Sequence, residues 1–399
     1  MAGVTSPRGG GAVKTDVWQR IDALSNDLWD LALRIHANPE LGFQEEKAVA
    51  WLTETLERGG FRVERGVGGL PTAFRAVHPA EKPGPRIAIL AEYDALPELG
   101  HACGHNLIAS IAVGAALGLA PFKEKLPGTL FVIGTPAEEG GGGKIKLIQA
   151  GVFKNIDAAM MVHPSDQTVV DRGSLAITEV KIEFHGKAAH ASSEPEKGIN
   201  ALDAVIQTFV GLNALRQHIK DGARIHGIIT HGGVKPNIVP EYAAALFYVR
   251  AAENSYRDEL VGKLRRCAEG AALATGASLT FTKVGHEYKA IRPNKTMAQV
   301  FAKYLRELGY PPEEPQGWMG STDMGDVSWE VPAIHPYIRI GVGEIPGHSR
   351  EFAAAAKSEG ARQAMIAAAK ALAATCIELW TDPEVFQKVQ AEFRQGRGS

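Results

Sequence analysis

Cysteine is scarce in this 399-residue chain: Cys103, Cys267 and Cys376 are the three present. The number is odd and the three lie far apart, which speaks against a disulfide framework and for a reducing, cytoplasmic setting. A dominant charge is missing too, with 43 basic residues against 45 acidic ones and a formal net charge of −2. Neither nucleic acid nor an anionic membrane is therefore expected as a partner. Long hydrophobic runs are absent. The longest, Leu107 to Ala120, has 14 residues, against about 20 needed to span a bilayer. It is rich in Ala and Gly and reads as a buried helix. Residues 1–15 carry no apolar stretch of the secretory kind and read as a flexible tail. What remains is an ordinary globular composition, 45% apolar and 22% charged, long enough for two domains.

Helical spacing of Ile21, Leu24, Leu28, Leu31 and Ile35 predicts a helix from Asp16 to Asn38-Pro39, and a second helix is expected over about Gln44 to Leu56. Strand-like segments follow from Phe61, Thr72 and Arg86. The last is continuously apolar from Ile87 to Ala91, as a strand buried on both faces would be. Further buried strands are expected from Thr129 and Asp157. Strands alternating with helices point to an α/β architecture with a largely parallel sheet. In such sheets ligands sit beyond the carboxyl ends of the strands. Three polar groups fall there: Glu92-Tyr93-Asp94, Glu138-Glu139 and His163. From about Leu175 the order becomes β-α-β-β-α-β, the split, ferredoxin-like α+β pattern. It reads as a domain inserted at 175–289 into a larger one formed by 16–174 and 290–399.

The densest chemistry lies in His101-Ala102-Cys103-Gly104-His105-Asn106. Two imidazoles and a thiol within five residues suit zinc and are tolerable for manganese; the plainer reading is a small buried Cys between two surface histidines. A helix starting near Leu107 would favour the Cys103 thiolate. In TPAEEGGGG, Glu138 and Glu139 point apart in extended backbone, so one can ligate a metal while the other acts as general base. A solvated acidic turn is the alternative. GGGGK lacks the Ser or Thr and the spacing of a phosphate loop. His163 can be a satisfied core histidine and His348 a surface-loop one. Asp94 can orient a ligand histidine. His36, His78, His218 and His286 read as surface or structural.

Six motifs in order resemble the metallopeptidase-20 family of amidohydrolases: LAEYDALPELGHACGHN, TPAEEGGGG, MMVHP, GKAAHASSEPEKGINALDA, GGVKPNIVP and GSTDMGDVSW. The resemblance covers about Asp16 to Leu379 and runs toward the p-aminobenzoyl-glutamate hydrolase and dipeptidase-like branch of an aminoacylase and carboxypeptidase G-like family. It implies a zinc-peptidase-like catalytic domain with an inserted ferredoxin-like lid that makes a homodimer or higher homo-oligomer. It implies one or two divalent ions, zinc or manganese, on Cys103, His105, Glu139, His163 and His348. It makes Glu138 the general base and Asp94 the group that orients the metal site. It makes His190 a lid residue that reaches the scissile carbonyl in the neighbouring subunit. Asn237, Arg250, Gly320 and Ser321 are implied as substrate-binding. One departure stands out: Asn106 occupies a position where many relatives carry Asp, so this motif supplies no bridging carboxylate.

The expected activity is hydrolysis of the amide bond of an N-acyl or N-aroyl amino acid, or of a dipeptide with a free carboxylate, by metal-activated water and Glu138. A bidentate Arg250 fork would hold that carboxylate. Two other functions use much of the same sequence: hydrolytic deamination of an aromatic amine at the same metal site, and a non-catalytic role as one chain of a hetero-oligomeric hydrolase. Tyr288, Trp318 and Met319 are expected to shape the substrate pocket.

Overall fold

A computed structural model describes residues 10–79, 82–317 and 319–396, with the side chain of His286 left aside. Residues 1–9 of the expected tail and Trp318 lie outside this set. The described residues divide into two compact units, one within 10–173, 292–317 and 326–396, the other within 174–291 and 319–325.

In chain order the strands are β1 (Arg62–Arg65), β2 (Phe74–Pro79), β3 (Arg86–Ala91), β4 (Thr129–Gly134), β5 (Ala158–Met160), β6 (His163–Ser165), β7 (Ala176–His185), β8 (Arg224–His231), β9 (Tyr242–Ala251), β10 (Ser278–Tyr288), β11 (Ala333–Ile334) and β12 (Tyr337–Arg339). The first unit holds a mixed six-stranded sheet in the order β1-β2-β4-β3-β5-β11. β3 is parallel to both β4 and β5, and β11 is parallel to β5. β1 and β2 form an antiparallel margin. Ile87 to Ala91 are all fully buried, as expected for a central strand between two layers.

The helix His105–Leu119 is buried on nearly every side. Its Gly114 lets Leu28 and Ala369 approach so closely that an added Cβ would lie 2.9 Å from Leu28 and 3.3 Å from Ala369. Ala369 belongs to a second apolar helix, Glu359–Thr381, built largely of alanine. Small side chains let these two helices pack at close range. The helical stretches His105–Phe122 and Glu359–Thr381 are long and apolar enough to cross a membrane, yet 83% of the most apolar 18-residue window in each is buried inside the protein.

The second unit has the antiparallel order β10-β7-β9-β8, with helices Ala201–Leu215 and Asn254–Thr275 between its strands. Asn200 caps the first of these helices, accepting from Leu202 and Asp203 N–H, which is why the turn after Gly198 ends where it does. This is the β-α-β-β-α-β arrangement read from the sequence.

Several expectations need correction. The first helix starts at Gly10, not Asp16, so residues 10–15 of the expected tail are helical. The single helix predicted as far as Asn38 is two, Gly10–Ala23 and Ser25–Ala37. The strand expected from Asp157 through His163 is two short strands in different sheets, because β6 leaves β5 and pairs with β12. Residues 319–325, placed by sequence in the larger domain, cluster with the smaller unit.

Candidate functional site

Parallel β3, β4 and β5 end on one edge of the sheet, with Ala91 opposite Gly134 and Ile89 opposite Met160. The chain beyond each strand carries the polar residues: Glu92 to Asp94, Glu138 and Glu139, and His163. Thr135 N–H donates to the Ala91 carbonyl at 2.8 Å, which aligns the first two exits.

The Cys103–His105 turn enters from the start of the helix His105–Leu119. Gly104 makes the turn in the left-handed region, at φ +76°, a conformation that favours glycine. His348 comes from the loop after β12 and is tied to this turn by its own N–H, which donates to the Ala102 carbonyl at 3.1 Å. His348 is itself left-handed, at φ +56°. Ser349 then caps the following helix by accepting from Phe352 N–H.

The donor atoms of the expected ligands and base converge in three overlapping groups: Cys103, His105 and His163; Cys103, Glu139 and His348; and His105, Glu138 and Glu139. Within each, the atoms lie within 4.8 Å of one another. Cys103 Sγ is 3.3 Å from His163 Nε2. Glu139 Oε1 is 3.5 Å from His348 Nε2 and 3.9 Å from His105 Nε2. Asp94 Oδ1 lies 3.0 Å from His105 Nδ1, and its Oδ2 accepts the Glu139 N–H at 2.9 Å. Asp94 thus orients one imidazole and one carboxylate together.

Electrostatics in this pocket follow from burial. Burial lowers His163 to about 4, with the charge of His105 adding to the effect. Burial also works against charge on His105, but the neighbouring Cys103 and Asp94 outweigh it and hold its pKa well above the usual histidine value. Burial, then the charge of Glu139, push the Cys103 thiol well up. The expected lowering of Cys103 by a helix terminus is therefore overturned in the protein alone. A cation held by these donors would reverse that balance, because a ligating thiol is deprotonated outright.

The residues fit a divalent cation. His105 Nε2 and Glu139 Oε1 are buried without a hydrogen-bond partner, which costs free energy unless something occupies the space between them. Thiolate, imidazole and carboxylate form the donor set that suits zinc. Asn106, by contrast, turns away from this chemistry. It is fully buried and donates from Nδ2 to the carbonyls of Ala32 and Ala356. Cys103, His105 and Glu139 each stand in two of the three groups.

In the second unit His190 and Asn237 lie together. Their segments join through a bridge between His190 and Ile238 and an Ala191 N–H bond to the Asn237 carbonyl. Ser192 and Ser193 N–H both donate to His190 Nδ1 at 3.3 Å. The neutral ring therefore carries its proton on Nε2. Arg250 Nη1 donates to Ser321 Oγ at 3.2 Å, and the neighbouring Gly320 carbonyl accepts from Leu175 N–H. Tyr288 is buried, and Met319 is half-buried.

Other residues have a place that sequence reasoning missed. Lys144, in the segment whose phosphate-loop reading fails, is fully buried and ion-paired with Glu92. The other Glu92 oxygen lies 3.5 Å from His105 Nε2. His335 is buried with its ring 5.5 Å from that of His163. His101 is buried, not superficial, and its ring lies 6.1 Å from His36. Glu45 accepts the Ala137 N–H. Glu45 and His335 carry no local sequence signal, and the GGGGK context of Lys144 points to a different chemistry. His36 is half-buried, with Nε2 2.7 Å from the Ala353 carbonyl. A separate cleft of about 720 Å³, lined by Arg20, Arg34 and Arg58 among others, contains none of the candidate residues.

Comparison with known proteins gives a consistent picture. The family described as peptidase family M20/M25/M40 matches residues 88–378. An Xaa-Arg dipeptidase from Mus musculus is 41% identical over 393 residues, covering 94% of this chain and 91% of the relative. One of the p-aminobenzoyl-glutamate hydrolase chains of Escherichia coli is 30% identical, covering 94% of this chain and 92% of that one. A dinuclear metal-binding peptidase of the M20 family from Bacillus subtilis shares the fold, with a TM-score of 0.73 at 23% identity over 90% of this chain and 99% of that one.

Proposed function

The chain belongs to peptidase family M20/M25/M40, a metal-dependent hydrolase of amide bonds in acyl amino acids or dipeptides, and from that premise we propose its ligands, base and substrate class. One observation carries the reading: Cys103, His105 and Glu139 each stand in two of three overlapping donor groups, and Glu138 joins the last of them. Cys103, His105, Glu139, His163 and His348 would hold one or two divalent ions, zinc or manganese. A divalent ion supplies Lewis acidity, making water more acidic and polarising a carbonyl oxygen.

This chain's own residues do the rest. Asp94 fixes His105 so that Nε2 faces the other donors, and its bond to the Glu139 N–H steadies the acidic loop. The Glu138 carboxylate takes a proton from the attacking water and returns it to the leaving amine. His190 would offer its Nε2–H to the oxyanion developing in the neighbouring subunit, an interaction typically worth about 3 kcal/mol. Arg250, steadied by Ser321, holds a substrate carboxylate through its planar fork. Asn237 and Gly320 add polar contacts to the same substrate.

The proposed substrates are N-acyl or N-aroyl amino acids and dipeptides with a free carboxylate. Dipeptides ending in Arg stand first among them, since relatives at 41% and 39% identity are named Xaa-Arg dipeptidases. The proposed assembly is a homodimer through the second unit. β8 is an edge strand with Ile228 and Ile229 exposed, and the helix Ala201–Leu215 exposes Ile206 and Val210. An unpaired edge flanked by apolar side chains is a template for pairing. A reducing, cytoplasmic setting completes the proposal and suits three cysteines that are all free thiols.

The test is a panel of Xaa-Arg dipeptides, p-aminobenzoyl-glutamate and N-acyl amino acids, with metal-reconstituted single chain and elemental analysis of the same preparation. Release of a free amino acid supports the reading. Release of ammonia alone would replace it with deamination, and inactivity of the pure chain on every substrate would favour a non-catalytic role in a hetero-oligomer.

A further inference from the structure

Two peptide N–H groups flank the base Glu138, one on Ala137 and one on Glu139. Each is held by a buried carboxylate. Glu139 N–H donates to Asp94 Oδ2 at 2.9 Å, and Ala137 N–H donates to Glu45 Oε1 at 2.8 Å. Asp94 also orients the His105 ring, whereas Glu45 stands in none of the three donor groups. It is fully buried and comes from a part of the chain some 90 residues upstream, just before the helix Glu46–Arg58.

Resting on the amide-hydrolase reading, we propose that Glu45 is a positioning residue for the general base, fixing the backbone from which Glu138 projects. Ala137 is left-handed, at φ +57°. For an L-residue that conformation costs about 1–2 kcal/mol, so the loop relaxes unless something holds it. The Glu45 carboxylate supplies that hold from one side. Ala137's own carbonyl accepts Gly141 N–H at 2.9 Å from the other.

The same upstream segment fits closely elsewhere. A Cβ added at Gly42 would meet the Ala137 Cβ at 2.7 Å. The Glu40 carbonyl accepts Ala95 N–H at 2.8 Å, one residue beyond Asp94. Residues 40–45 therefore brace both loops that deliver the acidic groups. Burial pushes the Glu45 carboxyl up to about 7, and its carbonyl-type oxygen accepts in either protonation state. A neutral amide at this position keeps the acceptor.

The experiment compares E45Q, E45M and wild type by kcat and KM, metal content, and hydrogen exchange of the segment containing the Ala137 amide. E45M keeps the length but loses the acceptor. Its kcat is expected to fall about 10–100-fold, as a displaced base would cause. KM should stay within about threefold and metal content should be unchanged, while exchange at the loop quickens about tenfold as its protection is lost. E45Q should restore both kcat and protection. Unchanged exchange in E45M, a loss in E45Q equal to that in E45M, or a loss carried by KM overturns the proposal. If wild type cleaves no amide, the function reading fails, yet the exchange comparison still decides Glu45. If E45M does not fold, G42A displaces Ala137 with Glu45 intact, and a folded G42A with wild-type kcat and loop protection overturns the proposal.

Discussion

Replacing Gly104 with alanine perturbs the turn between two proposed ligands without touching either side chain. Gly104 sits at φ +76°, where an L-residue costs about 1–2 kcal/mol. The new Cβ would also lie 2.5 Å from Pro164 Cγ and 3.2 Å from Phe352 Cε1. Pro164 is a rigid ring adjoining His163, so relief of the clash requires backbone movement, and overpacking of this kind costs about 1–3 kcal/mol. Together the expected loss is about 2–5 kcal/mol, a large part of a typical stability of about 5–15 kcal/mol. Gly140, in the acidic loop, has no atom within 4 Å of an added Cβ and is absent from the positive-φ positions. Gly140→Ala should therefore stay within about 0.5 kcal/mol. Urea unfolding of chelator-stripped protein measures both without a metal contribution. Reloading then shows whether Gly104→Ala has pulled Cys103 and His105 out of register. A Gly104→Ala loss under about 0.5 kcal/mol, or one equal to that of Gly140→Ala, would refute the steric argument.

Other predictions concern the same site and the second unit. Asp94→Ala frees the His105 ring and should weaken metal affinity about 10–100-fold; Cys103→Ser, which replaces a soft donor by a hard one, should weaken it further, both read by titration against a chelator. Glu138→Gln should lose about 10²–10⁴ in kcat with metal content unchanged, and loss of metal would reassign it as a ligand. Burial, with the charge of His105 adding, lowers His101 to about 3, so the fold favours its neutral form. Its contribution is complete above about pH 6.5 and lost as pH falls toward 3. Between about pH 7.5 and about pH 5.5 the wild type should lose about 1.3 kcal/mol more stability than His101→Asn, and equal losses in urea unfolding would sink the assignment. Ile228→Lys on β8 should shift the chain to monomer in analytical ultracentrifugation, and an unchanged sedimentation coefficient would move the interface elsewhere.

What was legible in the sequence depended on distance along the chain. Cys103 and His105 are two residues apart and the acidic pair is contiguous, so their chemistry could be read locally. The buried strand pattern placed the acidic pair beyond the strand ends together with His163, and Asp94 followed from its position two residues past Glu92. Glu45, Lys144 and His335 gave no such signal. Their roles arise where the fold brings buried polar groups from distant segments together, as Lys144 meets Glu92 across 52 residues. The start of the first helix was missed because Gly10 and Gly11 are poor helix formers, and its packing, with Val13 and Val17 in the core, overrides that preference. The single strand expected through His163 failed for a related reason. An apolar run cannot reveal that its end pairs with Tyr337 in another sheet.

The pairing of β11 with β5 has a consequence for synthesis. Ile334 lies opposite Met160, so the strand that closes this side of the sheet is translated roughly 170 residues after the one it covers. At about 5–20 residues per second that interval is roughly 10–35 s. Through it the nascent chain carries a raw, apolar β5 margin while the whole inserted unit is being made. Chaperone capture should therefore concentrate on chains stalled within the insert, and ease once residue 334 has cleared the ribosome.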